Sequence, residues 1–496
     1  MAETHASEEK TRLKKRAALE EKNITPYPSW NENRLANQNF LDRFSLLDAS
    51  RAVTLAGRIM SLRVQGGTTF AHIKDEGASV QLFFKKDRVG DAAYQLLKGD
   101  IDRGDIIAAT GTPFTTKRGE KSLLVSLLTL LAKSILPLPE KWEGLKEVET
   151  RFRKRYLDML ANDEVAHRFK IKSGIISAIR EFLNERGYTE VETPVLQPLY
   201  GGGLARPFAT RHNALSIDLY LRISPELYLK RLVVGGLEKV YEIGKVFRNE
   251  GIDRDHNPEF TALETMAAYH NYYYNMDLIE ECYEFCAQKI LGTTDIPYGE
   301  ETIHVARPWT RMTMVDAISH YTGVNVKEWG SLAEAEKALI KQKIDKKKMK
   351  NMHSIGQAIA LLFEEKVEEQ LIQPTIIYEH PVETSPLAKR CPGNPAFVER
   401  FEHYILGSEH GNHYTELNDP VELAERFVEE QKKAKKGTAV EDVHQPDYDF
   451  LEAIKHGMPP TSGLSIGIDR MAMLFTNADN IKEVIPFPVL RPKSSK

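Results

Sequence analysis

The chain has 496 residues, with 67 Lys and Arg against 71 Asp and Glu and a formal net charge of −4. That length is enough for two or three separate cores, and so even a balance excludes a polyanion binder working through overall charge: nucleic-acid contact must come from a local basic patch. The only cysteines, Cys282, Cys286 and Cys391, build no disulfide framework, and no signal peptide, bilayer-length apolar run or internal repeat is visible, so a cytoplasmic protein without membrane contact is expected.

Residues 1–50 read as an N-terminal helical extension. Glu8 to Asn23 is charged and helix-prone, with Leu13, Ala17 and Leu19 as a thin apolar stripe, and Pro26 and Pro28 end it. It is either a solvated helix or, through Lys10, Arg12, Lys14, Lys15 and Arg16, one that lies along RNA phosphates. Residues 51–136 change texture to short β-prone runs separated by turns, with hairpin signals at Gly66-Gly67 and Glu76-Gly77 and a short helix at Asp91 to Leu97. Five strands with a helix before the fourth is the order of an OB-type β-barrel, a fold that often grips single-stranded nucleic acid. Arg63, Phe70 and Gln81 fall where neighbouring strands present them together. An aromatic plate with an amide and a guanidinium beside it suits an unstacked RNA base; the plainer reading makes Phe70 a core residue.

Residues 137–163, opened by Pro137 and Pro139, read as a linker. Within it RFRKRYLDML (Arg151 to Leu160) is basic and helical, a clamp between domains or on RNA. An amphipathic helix follows from Glu164 to Arg186, with Ile171, Ile175, Ile176, Ile179 and Leu183 in one stripe. Gly187 ends it and YTEVETPVLQP continues as a strand carrying Pro194. A long apolar helix feeding a proline-bearing edge strand often builds a subunit interface, so this face is expected against a second copy of the chain. Glu226 follows Pro225 at a helix start, where a carboxylate is favoured.

Lys239 to Tyr269 reads as an antiparallel hairpin with a long polar connection, Asn249 to Asn257. Alternation puts Val246, Arg248 and Glu250 on one face of its first strand and Phe260, Ala262, Glu264 and Met266 on one face of the second. A guanidinium suited to phosphate or carboxylate, an aromatic plate and carboxylates on one side of a sheet point to a nucleotide site rather than a solvated surface hairpin. The lysine-rich Lys341 to Lys350 reads as a solvated helical face. Phe401 to Pro420 alternates Asn412, Tyr414 and Glu416 on one side, with Glu402 and Glu409 at its margins. Pro459 to Thr476 is a glycine-spaced strand entering a helix, where Gly463 and Gly467 let a ligand approach the backbone and Arg470 sits on the first helical turn.

Two arginines on separate elements, acidic pairs and a stacking Phe make an ATP site without any G-x-x-x-x-G-K-[ST] loop or Rossmann fingerprint. The combination resembles the class II aminoacyl-tRNA synthetases: ETPVL resembles their motif 1, FRNEGIDRDHNPEF motif 2 and GLSIGIDR motif 3. Within that class YLRISPELYLKRL, FRNEG, HNPEFT, SPLAKR and TELNDP resemble the bacterial-type lysyl-tRNA synthetases over nearly the whole length. The resemblance implies an α+β chain, an OB barrel for the anticodon followed by an antiparallel catalytic domain over 164–496, that charges tRNA(Lys) from L-lysine and ATP with Mg²⁺ as a homodimer. Carried over by motif, Arg248 holds the α-phosphate and substrate carboxylate, Arg470 the γ-phosphate, and Phe260 stacks on adenine with His256 and Glu250 ordering the nucleotide. Glu402 and Glu409 hold Mg²⁺. Glu226 and the backbone of Gly202 receive the α-ammonium, and Glu264 and Glu416 the ε-ammonium, with Asn412 and Tyr414 beside them.

The departures from the family pattern are Ser465 for a motif 3 glycine, Met266 for a tyrosine, and HGNHY (His410 to Tyr414) for small and apolar neighbours. Met266 removes a hydroxyl from the pocket and Tyr414 adds one, so the hydroxyl is expected to have crossed from position 266 to Tyr414, with His413 pointing away. His410 and His413 beside Glu409 lack a third ligand at zinc spacing. An aspartyl- or asparaginyl-tRNA synthetase is the nearest rival, but its site would not place two carboxylates against the substrate side chain. A truncated, elongation-factor-modifying relative lacks the barrel, and an inactive tRNA-binding paralogue would not keep Arg248, Arg470, Glu402 and Glu409.

Overall fold

The computed structural model describes residues 2–48, 50–138, 147–350, 352–435 and 446–492; Pro139 of the expected linker lies outside them. The chain forms two compact units, Met1–Lys146 and Glu147–Lys496.

In the first unit five strands close into a barrel: Val53–Gln65, Thr68–Lys74, Ser79–Lys85, Ile106–Thr115 and Lys121–Ala132, with the helix Asp91–Gly99 before the fourth. The inward positions are branched and aromatic apolar residues such as Leu55, Ile59, Ile73, Leu82, Phe84 and Val125, all at or near zero exposure. The N-terminal helix, Ala2–Glu21, is neither fully solvated nor free for RNA along its basic side. Leu19 is buried in the barrel core. Arg12 donates to the carbonyls of Arg103 and Ser134 at 3.0 and 3.2 Å, and Lys15 pairs with Asp102 at 2.5 Å. Those cations hold the helix down, leaving Lys10 and Lys14 exposed.

The second unit is built on a nine-stranded mixed sheet. Its centre runs Asn394–Ile405, Ser408–Thr415, Thr461–Gly467, Glu259–Ala268 and Lys239–Phe247, all antiparallel. One sheet face is covered by the helices Asp163–Asn184, Tyr272–Leu291 and Ile468–Phe475, whose apolar stripes meet Leu263, Ala267, Phe401 and Ile466 in the main core. Asn271 caps the second of these helices, accepting from the Tyr273 N–H at 3.2 Å. A helical subdomain with its own core (Met314–Thr322, Leu332–Lys341, Ile355–Lys366) sits at the Thr375–Pro381 end of the sheet.

Several local expectations are corrected. The isoleucine stripe of Asp163–Asn184 is spent inside the subunit: Ile171, Ile175, Ile179 and Leu183 are buried in its own core. Pro194 interrupts the following segment, leaving two-residue strands at Thr189–Glu190 and Leu196–Gln197. Arg151 to Leu160 is no free clamp, because Arg155 is 1 % exposed and donates to Asp158 and to the carbonyls of Lys482, Ile485 and Pro486. The helix before the lysine run ends at Lys341, and Lys343 takes a positive φ of 59°, so that run is turn rather than helix. The first strand of the central hairpin ends at Phe247, which moves Arg248 and Glu250 into the connecting loop.

Candidate active site

The sheet face opposite the main core carries a cavity of about 390 Å³. Alternation along Glu259–Ala268 turns Phe260, Ala262 and Glu264 into it. Across the cavity stand Glu402 and Asn412, directly paired between neighbouring strands. Arg470 enters from the first turn of Ile468–Phe475.

At the loop end, the Arg248 guanidinium lies 5.2 Å from the Phe260 ring centroid. Its Nε is buried with no hydrogen-bond partner among the described residues. A cation stacked on a ring with a free N–H is prepared for an anion. His256 donates Nδ1–H to Asp253 at 2.9 Å, leaving Nε2 to accept from Arg470 at 3.2 Å. Arg470 also donates to the Glu409 carbonyl. Glu250 lines the same end and is exposed.

The acidic margin is held by residues that the motif reading passed over. Arg400 pairs with Glu402 and also reaches Asn412 Oδ1 at 2.9 Å and Ser385 Oγ at 2.8 Å, while the Tyr404 hydroxyl donates to the other Glu402 oxygen. Against the cost of burial, Arg400 keeps Glu402 below the usual carboxylate range. Burial and the charge of Glu402 push Glu409 upward, and burial with Glu402 and Glu409 lifts Glu368 to about 7. Arg400 stands two residues before Glu402 on one strand, so the period-2 rule alone would have found it.

At the far end Gly202, Glu226, Glu264 and Tyr414 converge. Gly202 has φ +78°, and a Cβ there would come 2.9 Å from Glu226 Cβ and 3.0 Å from Ser224 Oγ, so only glycine brings this backbone to the cavity. Ser224 Oγ accepts from the Glu226 N–H at 3.0 Å and donates to Glu264. Burial, then the charge of Glu226, pushes Glu264 up to about 8. Burial, then the charges of Glu226 and Glu416, drive the pKa of the Tyr414 hydroxyl well up.

Glu416 and Met266, both expected at this pocket, do not line it. Glu416 is fully buried and its carboxylate pairs with Lys230, a residue the motif reading left without a role although it stands four residues after Glu226 on one helix. Met266 is 2 % exposed and packs with Leu227, Val240 and Leu417. His413 points to the opposite face, bonded to His403 at 2.8 Å and accepting from the Ser465 N–H at 3.2 Å. His403 and His410 both reach the Tyr283 hydroxyl there, and among the described residues no group of three His, Cys, Asp or Glu is set to hold a metal ion.

On the barrel, Arg63 pairs with Phe70 across neighbouring strands and Phe70 with Phe83, so these outward side chains share a face with Gln81. Phe70, Phe83 and Phe114 form a stacked ladder, with centroids 4.6 and 5.6 Å apart, so Phe70 is no core residue. Gln81 is 9 % exposed and engaged with Glu120 at 2.7 Å and Ser122 at 2.9 Å, which fixes its amide orientation.

Residues 147–491 match the family model of the tRNA synthetases class II (D, K and N), and residues 53–131 match that of the OB-fold nucleic acid binding domain. A lysine–tRNA ligase of Thermoanaerobacter sp. (strain X514) is 50 % identical over 90 % of this chain and 88 % of the relative. The lysine–tRNA ligase of Bacillus subtilis (strain 168) is 48 % identical over 91 % and 90 %, and that of Carboxydothermus hydrogenoformans 46 % identical over 98 % of each. With its barrel, its antiparallel sheet and the arginines and carboxylates that line the cavity, the chain belongs to the class II tRNA synthetases of the D, K and N group.

Proposed function

We propose that the protein is a lysine–tRNA ligase, which joins L-lysine to ATP as lysyl-adenylate and passes the lysyl group to the 3′ end of tRNA(Lys). The observation that carries the amino-acid assignment is Glu264, a carboxylate 8 % exposed whose only hydrogen-bond partner among the described residues is the Ser224 hydroxyl. A buried carboxyl short of counter-charge is completed by a substrate ammonium, which pairs with its ionised form, and gains no such partner from an acidic side chain.

In the first step a lysine carboxylate oxygen attacks the α-phosphorus of ATP; the bond to the bridging oxygen breaks and pyrophosphate leaves. In the second, a terminal ribose hydroxyl of tRNA attacks the acyl carbon and AMP leaves. Both steps depend on alignment and charge stabilisation rather than on a protein nucleophile. Arg248 neutralises the α-phosphate and the substrate carboxylate, Phe260 carries the adenine, and Arg470, steadied by His256, takes the γ-phosphate, with Glu250 at the nucleotide's edge. Glu226 and Gly202 receive the α-ammonium beside Asn412 and Tyr414. Two mutually repelling carboxylates, Glu402 and Glu409, with phosphate oxygens alongside, are a hard-oxygen donor set that fits Mg²⁺. Bound there, the ion neutralises polyphosphate charge.

The barrel residues Arg63, Phe70 and Gln81 take the anticodon, giving an extension over 1–50, a barrel over 51–136, a linker over 137–163 and catalysis over 164–496. A homodimer is favoured by exposed Val195, Leu196, Leu204, Leu215 and Ile217, clustered in one stretch of chain. No helix among the described residues is long and apolar enough to cross a membrane, and the cytoplasm is the compartment where such a reaction belongs. Amino-acid-dependent ATP–pyrophosphate exchange tests the assignment. Exchange with lysine and none with aspartate or asparagine is expected; a folded protein silent with lysine overturns it.

A further inference from the structure

The back of the catalytic sheet holds a buried polar cluster that the reaction does not use. Tyr283, from the helix Tyr272–Leu291, and His403 and His413, from the adjoining strands, are fully buried, and His410 is 6 % exposed. Their hydrogen bonds run as a relay in one direction. The Ser465 N–H can only donate, so His413 Nδ1 accepts from it at 3.2 Å and the proton of this ring sits on Nε2. Nε2–H then donates to His403 Nδ1 at 2.8 Å, His403 Nε2–H to the Tyr283 hydroxyl at 3.2 Å, and that hydroxyl to His410 Nδ1 at 3.3 Å. Every bond is made only if all three rings are neutral, and burial keeps them so, with His403 brought down to about 3.

The cluster surrounds a β-bulge. His403 pairs with Gly411 and Tyr404 with Glu409, which leaves His410 as the extra residue of its strand. Strict alternation from Tyr414 and Asn412 would turn residue 410 toward the cavity and Glu409 into the core. The bulge reverses that parity, so that Glu409 lines the cavity with Glu402 and Asn412 while His410 Nδ1 is turned back to Tyr283. Gly411 is packed under the rings: a Cβ there would come 2.8 Å from His403 Cε1 and 3.1 Å from His413 Cε1, and up against the Ser465 carbonyl. The ladder to Thr461–Gly467 stops at the His413–Leu464 pair, and the Ser465 N–H beyond it is taken by the His413 ring. From the cavity side, Arg470 holds the Glu409 carbonyl.

Building on the Mg²⁺ reading above, we infer that Tyr283, His403, His410 and His413 are positioning residues: together they fix the bulge at His410 and so hold the Glu409 carboxylate opposite Glu402, where the two can share a divalent cation. Losing the bulge would return Glu409 to the core side and leave Glu402 alone with Arg400. The lysine end of the cavity, gathered around Gly202, Glu226 and Glu264, stands on other elements.

The test uses the full-length enzyme and reads ATP binding by calorimetry over a range of Mg²⁺, without lysine so that no reaction proceeds; lysine binding is measured alongside. Y283F removes one hydroxyl from the middle of the relay. Half-saturating Mg²⁺ should rise about fivefold or more, with lysine Kd within about twofold of wild type. E409Q should raise it too, and Y283F/E409Q should be no worse than E409Q, because the relay acts through that carboxylate. A purely structural role predicts instead that Y283F weakens ATP and lysine alike and adds its loss to that of E409Q. That pattern, or an unaffected Y283F, overturns the inference. Should Y283F not fold, His410 carries the comparison, since H410N keeps an acceptor where Nδ1 stood and H410L removes it. H410N closer to wild type supports the inference, and equal behaviour or the reverse order overturns it. E409Q without effect on the Mg²⁺ requirement sinks the metal reading itself, whereas an impaired E409Q beside a normal Y283F sinks only the relay.

Discussion

Ser224 Oγ stands 2.9 and 3.0 Å from the two carboxylate oxygens of Glu264 and is the only hydrogen-bond donor that the described residues offer them. One neutral hydroxyl does not replace the hydration of a buried anion, which is why burial lifts this group to about 8. The free pocket therefore favours the protonated acid at neutral pH, and a substrate ammonium favours the carboxylate. Lysine affinity should rise with pH, by up to about tenfold per unit below the folded pKa, and flatten above it. The stability effect has the opposite sense. A carboxyl raised in the fold contributes stability fully below its unfolded pKa of 4.5 and loses it as pH rises through about 8. Lysine should accordingly raise Tm more at pH 8.5 than at pH 6.5. Calorimetric titration and thermal shift across that range check both, with Glu264→Gln expected to flatten the profiles; a pH-independent wild-type affinity contradicts the account.

Anticodon stacking and amino-acid activation are expected to separate, since Phe70 and Arg248 belong to different compact units. The ladder Phe70–Phe83–Phe114 braces the outer plate from behind. Phe70→Ala should lose about 1–3 kcal/mol of base stacking. Charging at limiting tRNA falls accordingly while pyrophosphate exchange stays near wild type. Equal losses in the two assays would show that the barrel substitution disturbs more than the RNA contact.

Much of this was legible in the chain because local rules and tertiary demand agree. The barrel follows from strand runs and turns, the hairpin register from alternation, and the strand Thr461–Gly467 from its glycine spacing. What the sequence hid was depth. Period-2 alternation places Glu264 and Met266 on one face, and likewise Tyr414 and Glu416. It does not say that in each pair the second residue lies beneath the helix Glu226–Val234 and its packing partners. Burial along a strand is set by what crosses above it, which one strand's pattern does not encode. The same blindness assigned the isoleucines of Asp163–Asn184 to a partner subunit, when Tyr272–Leu291 returns to cover them. Lys230 escapes a sequence reading for a different reason: it is one of many cations, and only the fold puts it against Glu416.

The association surface accordingly shifts to the exposed apolar residues between Val195 and Ile217. Leu196 and Ile217 are both exposed, on adjoining strands of a small three-stranded sheet. Wild-type protein at micromolar concentration should sediment as a dimer. Leu196→Asp with Ile217→Asp would place charges in a desolvated contact, costing several kcal/mol of association, and should yield monomer. A charge change in the exposed face of Asp163–Asn184, such as Lys170→Glu, should leave the dimer intact. A monomeric, active wild type rules out the dimer.

Tyr414 carries the last prediction. Its side chain lines the cavity beside Glu226 and Glu264, and its ring faces the Lys230 ammonium. Removing the hydroxyl takes a donor from a pocket lined by Glu226 and Glu264, where a hydrogen bond to a charged group is worth about 1.5–3 kcal/mol. Tyr414→Phe should raise lysine KM about tenfold or more, with ATP KM little changed. The expected exchange of hydroxyls with position 266 fails on geometry. Met266 packs against Val240 and Leu417 outside the cavity lining, so a tyrosine there would overfill a buried site instead of reaching the substrate. Met266→Tyr should therefore lower Tm and leave the Tyr414→Phe defect unrepaired. Recovery of lysine KM in the Tyr414→Phe, Met266→Tyr double variant would show that position 266 does open to the pocket, and unchanged KM in Tyr414→Phe would reduce Tyr414 to a packing residue.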